Sequence, residues 1–216
     1  MKNTVLFDLD GTLTDPAVGI TNSVAYALNR YGITVSDKST LNCFIGPPLA
    51  ESFSKYYGFD KEKANEAVNV YREYFSVTGK FENLLYEGVK ELLGSLKDNG
   101  KTVILATSKP EVFAIEILKH FEIFDYFDTV CGSELNGSRV DKHEVIECAL
   151  ERANVTDREG AIMVGDRMHD IIGASRSSIQ SVGVTYGYGS INELNDAGAT
   201  YTVNTVNELK ALLLQL

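Results

Sequence analysis

Five short apolar runs, each preceded or followed by a helical pattern, constrain this chain more than any other feature: Thr102–Ala106, Thr129–Cys131, Ala161–Val164, Ser181–Val184 and Tyr201–Val203. Between and around them the apolar residues fall at helical spacing. Val89–Asn99 turns Leu92, Leu93 and Leu96 inward and stops at Gly100, and Glu111–His120, Lys142–Ala153, Ile171–Ser177, Ile191–Ala197 and Asn207–Leu214 follow. Apolar strands alternating with helices predict a parallel sheet covered on both faces. Such sheets bind ligands at the carboxyl ends of their strands, so the functional residues are expected just after each strand.

An earlier run, Val5–Phe7, leads into Asp8-Leu9-Asp10-Gly11. Period two puts Asp8 and Asp10 on one side of a strand and Leu9 on the other. Two like charges so close cannot both stay ionised without a cation or a shared proton. Phosphoryl transfer with a metal meets that need, with one carboxylate attacking phosphorus and the other handling the proton on the leaving or attacking oxygen. An acid-rich surface turn would tolerate the same residues.

The later strands end in further candidates. Thr107, after Thr102–Ala106, offers a hydroxyl and nearby amides to phosphate oxygens, or simply caps a helix. Lys142 opens a helix, where the dipole disfavours a cation, so either it has a partner or it is a solvated surface lysine. Gly165-Asp166 and Asp170 give Asp-x-x-x-Asp at a strand end, two carboxylates one turn apart. Hard oxygen donors with open positions suit Mg²⁺, although acids are also common at helix starts.

Between Asp15 and about Phe81 nothing alternates like a strand. Pro16–Tyr31, with Asp15 as cap and Pro16 at the first helical position, Leu49–Tyr57, and Lys61–Ser76 with Asp60 as cap all read as helices. Tyr56, Tyr57, Tyr71 and Phe75 fall at helical spacing and read as core. His120, His143 and His169 show no metal-ligand spacing. Lys109 and Arg167 read as solvated cations able to reach an anion, and Thr185–Gly189 as a plain turn or a flank of the site.

With 216 residues, 44% apolar and 23% charged, the chain suits an ordinary globular protein of one large domain with an insertion. A formal charge of −10 argues against nucleic acid or an anionic membrane as partner. The three cysteines, Cys43, Cys131 and Cys148, are widely spaced and fit a reducing cytoplasm. No leader-like core or membrane-length apolar run is visible.

Phe7–Leu13, reading Phe-Asp-Leu-Asp-Gly-Thr-Leu, resembles the first signature of the haloacid dehalogenase superfamily. Thr107 is similar to its second motif, Lys142 to its conserved lysine, and Gly165–Asp170 to its fourth motif. Phe44–Leu49 looks like the cap loop of phosphoglycolate-phosphatase-like members. The resemblance implies an α/β fold: a Rossmann-like core at 1–14 and 83–216 with a helical cap at 15–82, hinging near Thr14–Pro16 and Asn83–Gly88. It also implies a Mg²⁺-dependent phosphatase acting on a small phosphorylated metabolite through an aspartyl-phosphate. Its catalytic set would be Asp8, Asp10, Thr107 and Lys142. The metal would be held by Asp8, Asp10 through its backbone carbonyl, Asp166 and Asp170, and phosphate by Gly11, Thr107, Ser108 and Lys142. Ser108 and His143 depart from the Asn and Pro that related phosphatases carry. Asp10 speaks against dehalogenation, and Pro16–Gly19 lacks the histidine of β-phosphoglucomutase-like mutases. Mutase, nucleotidase, pyrophosphatase and phospho-acceptor readings stay open, as do a monomer or a homodimer.

Overall fold

The chain, described over residues 2–216 by a computed structural model, forms two compact units. One holds the segment up to Asp15 together with Leu85–Leu216, and the other is Pro16–Leu84. The elements run β1 (Thr4–Phe7), β2 (Thr14–Asp15), α1 (Ala17–Arg30), α2 (Leu49–Tyr57), α3 (Lys61–Phe75) and β3 (Leu84–Leu85). Then come α4 (Val89–Asp98), β4 (Thr102–Pro110), α5 (Glu111–His120), β5 (Thr129–Ser133), α6 (Lys142–Arg152) and β6 (Ala161–Gly165). The chain closes with α7 (Met168–Arg176), β7 (Gln180–Val184), α8 (Ile191–Asp196), β8 (Tyr201–Val203) and α9 (Val206–Gln215).

In the first unit six strands form a parallel sheet in the order β5-β4-β1-β6-β7-β8. The expected α/β sheet is therefore present. β1 is central, with Leu6 facing Ile104 on one side and Met163 on the other. Its alternation feeds two cores. Val5 and Phe7 pack with Leu92 and Leu96 of α4, Ile117 of α5 and Leu209 of α9, whereas Leu6 packs with Val145, Ile146 and Leu150 of α6. Burying each such side chain contributes roughly 1.5–3 kcal/mol. Truncating the fully buried Leu6 to alanine would cost about 2–5 kcal/mol. The strand order reverses on either side of β1, so the ends of β1, β4 and β6 line the crevice where a ligand site belongs.

β4 runs past the predicted end at Ala106, and its register against β5 shifts between Ala106 and Pro110. Four residues of β4 advance there against two of β5, a bulge of the kind that re-aims side chains beside a site. α7 starts three residues ahead of its predicted Ile171. Asp170 accepts the Arg167 N–H at 3.0 Å and so organises the first turn from its own third position.

The second unit is helical. Asp60 caps α3 as expected, accepting the Lys63 N–H at 2.9 Å. Asp15 does not cap α1: the N-cap is Pro16, without a side-chain bond, because the Asp15 carboxylate takes the Tyr188 hydroxyl within the first unit. A seven-residue 3₁₀ segment, Lys38–Phe44, carries no periodic signal in the sequence. The core is aromatic: Phe44 meets Phe53 edge-on at 5.0 Å, Phe53 stacks on Phe59 at 5.9 Å, and Tyr71 stacks on Phe75 at 5.2 Å. Tyr71 and Phe75 are buried as predicted, but Tyr56 is exposed, its ring 5.8 Å from that of Phe44.

Candidate active site

Asp8 is the first residue beyond β1, and its N–H still pairs with Val164 of β6 at 2.9 Å, so the carboxylate projects from a fixed strand end. Asp166 follows β6 directly, and Asp170 lies on the first turn of α7. The three carboxylates converge, with one oxygen from each within 4.8 Å of the others, and all three residues are buried. Lys142, at the start of α6, reaches into the same place. Its ammonium donates to Asp8 Oδ1 at 2.7 Å and to the Ala106 carbonyl at 3.1 Å, and forms an ion pair with Asp170 Oδ1 at 2.8 Å. Three oxygens face its three donors. That geometry accounts for a lysine in a position the helix dipole opposes, while Asp141 caps the helix by accepting the His143 N–H at 2.8 Å.

Electrostatics leave the cluster to be balanced by a cation or by protons. Three carboxylates against one ammonium leave two negative charges unbalanced in a buried space. Burial, then the charges of Asp170 and Asp8, push the Asp166 carboxyl well above the usual carboxylate range. Burial raises Asp170 as well, against the pull of Lys142. Burial alone would lower the lysine, yet Asp170 and Asp8 hold it above its ordinary value. Asp166 Oδ2 accepts the Tyr188 N–H at 2.8 Å, while its Oδ1 is buried without a hydrogen-bond partner among the described residues. An orphaned carboxylate oxygen, a deficit of two charges and hard donors throughout fit a divalent cation such as Mg²⁺.

Asp10 stands apart from this trio. Its Oδ2 pairs with Lys109 and its Oδ1 is buried without a hydrogen-bond partner among the described residues. Burial raises its carboxyl above the usual range, and Lys109 opposes the rise. Lys109 is therefore not the solvated cation expected: its side chain is 5% exposed. The signal was present, since period two along β4 sets Thr107 and Lys109 on one face and Ser108 on the other, as it does for Asp8 and Asp10. Thr107 is buried at the bulge, its hydroxyl oxygen accepting the Lys109 N–H at 3.2 Å. The Ser108 hydroxyl donates to the Val140 carbonyl at 3.0 Å.

Gly11 has a structural necessity. Its φ is +80°, and a Cβ there would overlap the Asp166 carboxylate. Its N–H donates to the Thr14 carbonyl at 2.8 Å, inside the turn that follows the two aspartates. Arg167, also read as a possible anion ligand, binds Glu193 Oε1 through Nε at 2.9 Å. His169 and His120 are exposed, and His143 shares a hydrogen bond with Ser177 at 2.8 Å. None of the three histidines joins the acid cluster. Thr185–Gly189, read as a plain turn or a flank of the site, reaches Asp166 through the Tyr188 N–H, a backbone contact that no side-chain pattern announces.

The chain is similar to several known proteins. A family model described as haloacid dehalogenase-like hydrolase matches residues 5–184. A 5'-nucleotidase of Pseudomonas aeruginosa is 52% identical over 190 residues, 88% of this chain and 86% of the relative. Tyrosine-protein kinase PtkA of Mycobacterium tuberculosis is 40% identical over 185 residues, 86% of this chain and 62% of that protein. The crystal structure of a predicted phosphatase from Clostridium acetobutylicum superposes with a TM-score of 0.97 at 52% identity, covering 100% of both chains. No helix among the described residues is long and apolar enough to cross a membrane.

Proposed function

The chain belongs to the haloacid dehalogenase-like hydrolase family, and on that premise we propose that it is a Mg²⁺-dependent phosphatase that hydrolyses small phosphate monoesters through Asp8. The observation that carries this reading is the junction of Asp8, Asp166 and Asp170 on one buried lysine at the carboxyl end of the central strand.

The Asp8 carboxylate attacks phosphorus in line; the new O–P bond gives an aspartyl-phosphate as the ester O–P bond breaks. Asp10, in its protonated form, gives that proton to the departing alkoxide through the oxygen that Lys109 leaves open, then takes one from the water that hydrolyses the acyl phosphate. Lys142 holds Asp8 in line and faces the incoming phosphate, its charge offsetting the approach of one anion to another. Thr107 and the Ser108 amide, on the bulge of β4, hold phosphate oxygens in this reading. Asp8, the Asp10 carbonyl and Asp166 would hold Mg²⁺, with Asp170, whose oxygens meet Lys142 and the Arg167 N–H, supporting from outside. Bound there, the cation supplies charge neutralisation for the phosphoryl oxygens.

Substrate identity is the finer part of the proposal. The 52% identity with a 5'-nucleotidase puts nucleoside monophosphates first on the panel, ahead of phosphoglycolate, which the resemblance of Phe44–Leu49 suggests. Phosphate release from such a panel, scored by kcat/KM with Mg²⁺, is the test. Native protein is expected to turn over at least one small monoester, and Asp8→Asn to fall about 10⁴-fold or more in kcat. Full turnover by Asp8→Asn would overturn the mechanism.

A further inference from the structure

We propose that the turn Tyr186–Gly189 is a positioning element for Asp166 and thereby sets the metal affinity of the acid cluster, an inference that rests on reading that cluster as a divalent-cation site. The turn follows β7 and reaches Asp166 through backbone. The Tyr188 N–H fixes Asp166 Oδ2 at 2.8 Å, so the orphaned Oδ1 is presented in one direction. A carboxylate held at one oxygen cannot swing its other oxygen away from a ligand.

Glycines on both sides of Tyr188 make this approach possible. A Cβ at Gly187 would overlap the Gly11 carbonyl oxygen and the Asp166 side chain, and one at Gly189 would overlap the Asp166 carbonyl oxygen. The turn is anchored by its tyrosines. The Tyr186 hydroxyl donates to the Thr12 carbonyl at 3.0 Å, and the Tyr188 hydroxyl donates to the Asp15 carboxylate. Both anchors lie on the segment that leaves Asp8 and Asp10, so the turn ties the position of Asp166 to that of the nucleophile's own loop. The Tyr186 ring, edge-on to Tyr86 at 5.1 Å, fixes the base of the turn. Glu193 holds the other side of the acid pair by accepting the Met168 N–H at 2.9 Å.

The test is Mg²⁺ titration by calorimetry on folded protein, with folding checked by circular dichroism. Tyr188→Phe removes only the hydroxyl anchor and is expected to raise the Mg²⁺ Kd about 5- to 10-fold, and Asp15→Ala, which removes the acceptor, to do the same. The double variant should add little, because both substitutions delete one bond. Gly187→Ala should weaken binding about 10- to 100-fold, and kcat/KM lost at limiting Mg²⁺ should return at high Mg²⁺. If Gly187→Ala does not fold, the Tyr188 and Asp15 variants decide alone. Native-like Mg²⁺ affinity in Tyr188→Phe and Asp15→Ala would overturn the inference while Asp166→Asn still loses the ion. Unaltered binding by Asp166→Asn would instead overturn the metal-site reading beneath it.

Discussion

Two buried lysines meet the two aspartates of the Asp8-Leu9-Asp10 turn, and they are mounted differently. Lys142 comes from the first turn of a regular helix and meets oxygens from three separate segments, at Asp8, Ala106 and Asp170. Lys109 comes from the bulged end of β4 and pairs with Asp10. The difference teaches which part of the site is frame and which part can give. Moving Lys142 would uncouple β1, β4 and α7 together, whereas a small change in the bulge would shift Lys109 and the Asp10 carboxyl it pairs with.

The comparison breaks most sharply at Lys142. Lys142→Met leaves the cluster with three carboxylates and no cation of its own, so denaturant unfolding should show a loss of about 3–5 kcal/mol in chelated protein. In Mg²⁺, kcat should fall about 10³-fold. Lys109→Met should do less, and selectively. Turnover of an alkyl phosphate should drop roughly 10- to 100-fold, while p-nitrophenyl phosphate, whose leaving group departs without a proton, should change less than about threefold. Equal losses on both substrates would place Lys109 with the frame after all.

A smaller effect lies in pH. The folded pKa of Asp166 is above its unfolded value, so the proton it binds stabilises the fold. That contribution is complete below the ordinary carboxylate pKa and is lost as pH rises through the raised folded value. Asp170 follows the same direction. Chelated protein should therefore lose Tm as pH rises above the ordinary carboxylate range, and the Tm gain on adding Mg²⁺ should grow with pH. A Tm gain that shrinks with rising pH would contradict the charge balance drawn for the cluster.

The sheet was legible because burial on both faces of a strand leaves an uninterrupted apolar run, as at Val103–Ala106 and Ala161–Val164. Asp8, Asp166 and Asp170 were legible because each follows such a run directly or by one turn. Less visible was the bulge in β4, which arises from pairing with β5 rather than from the residues of β4 themselves. Lys109 could have been placed by period two from Thr107, but a charged side chain at a strand end was weighed as solvated. Asp15 offered a plausible helix cap, and only the fold brought Tyr188 to claim it first. Contacts made by main-chain amides, such as that of Tyr188, leave no trace in residue type beyond the flanking glycines that admit them.

The ion pair between Asp8 and Lys142 joins residues 134 positions apart. A ribosome therefore releases Asp8 long before the amine that balances it. Any fragment ending short of α6 carries that aspartate without its lysine. If Asp8 is the nucleophile proposed above, chemistry and completion of the chain are coupled by connectivity alone, and a truncated product, however well its early strands pair, would be inert.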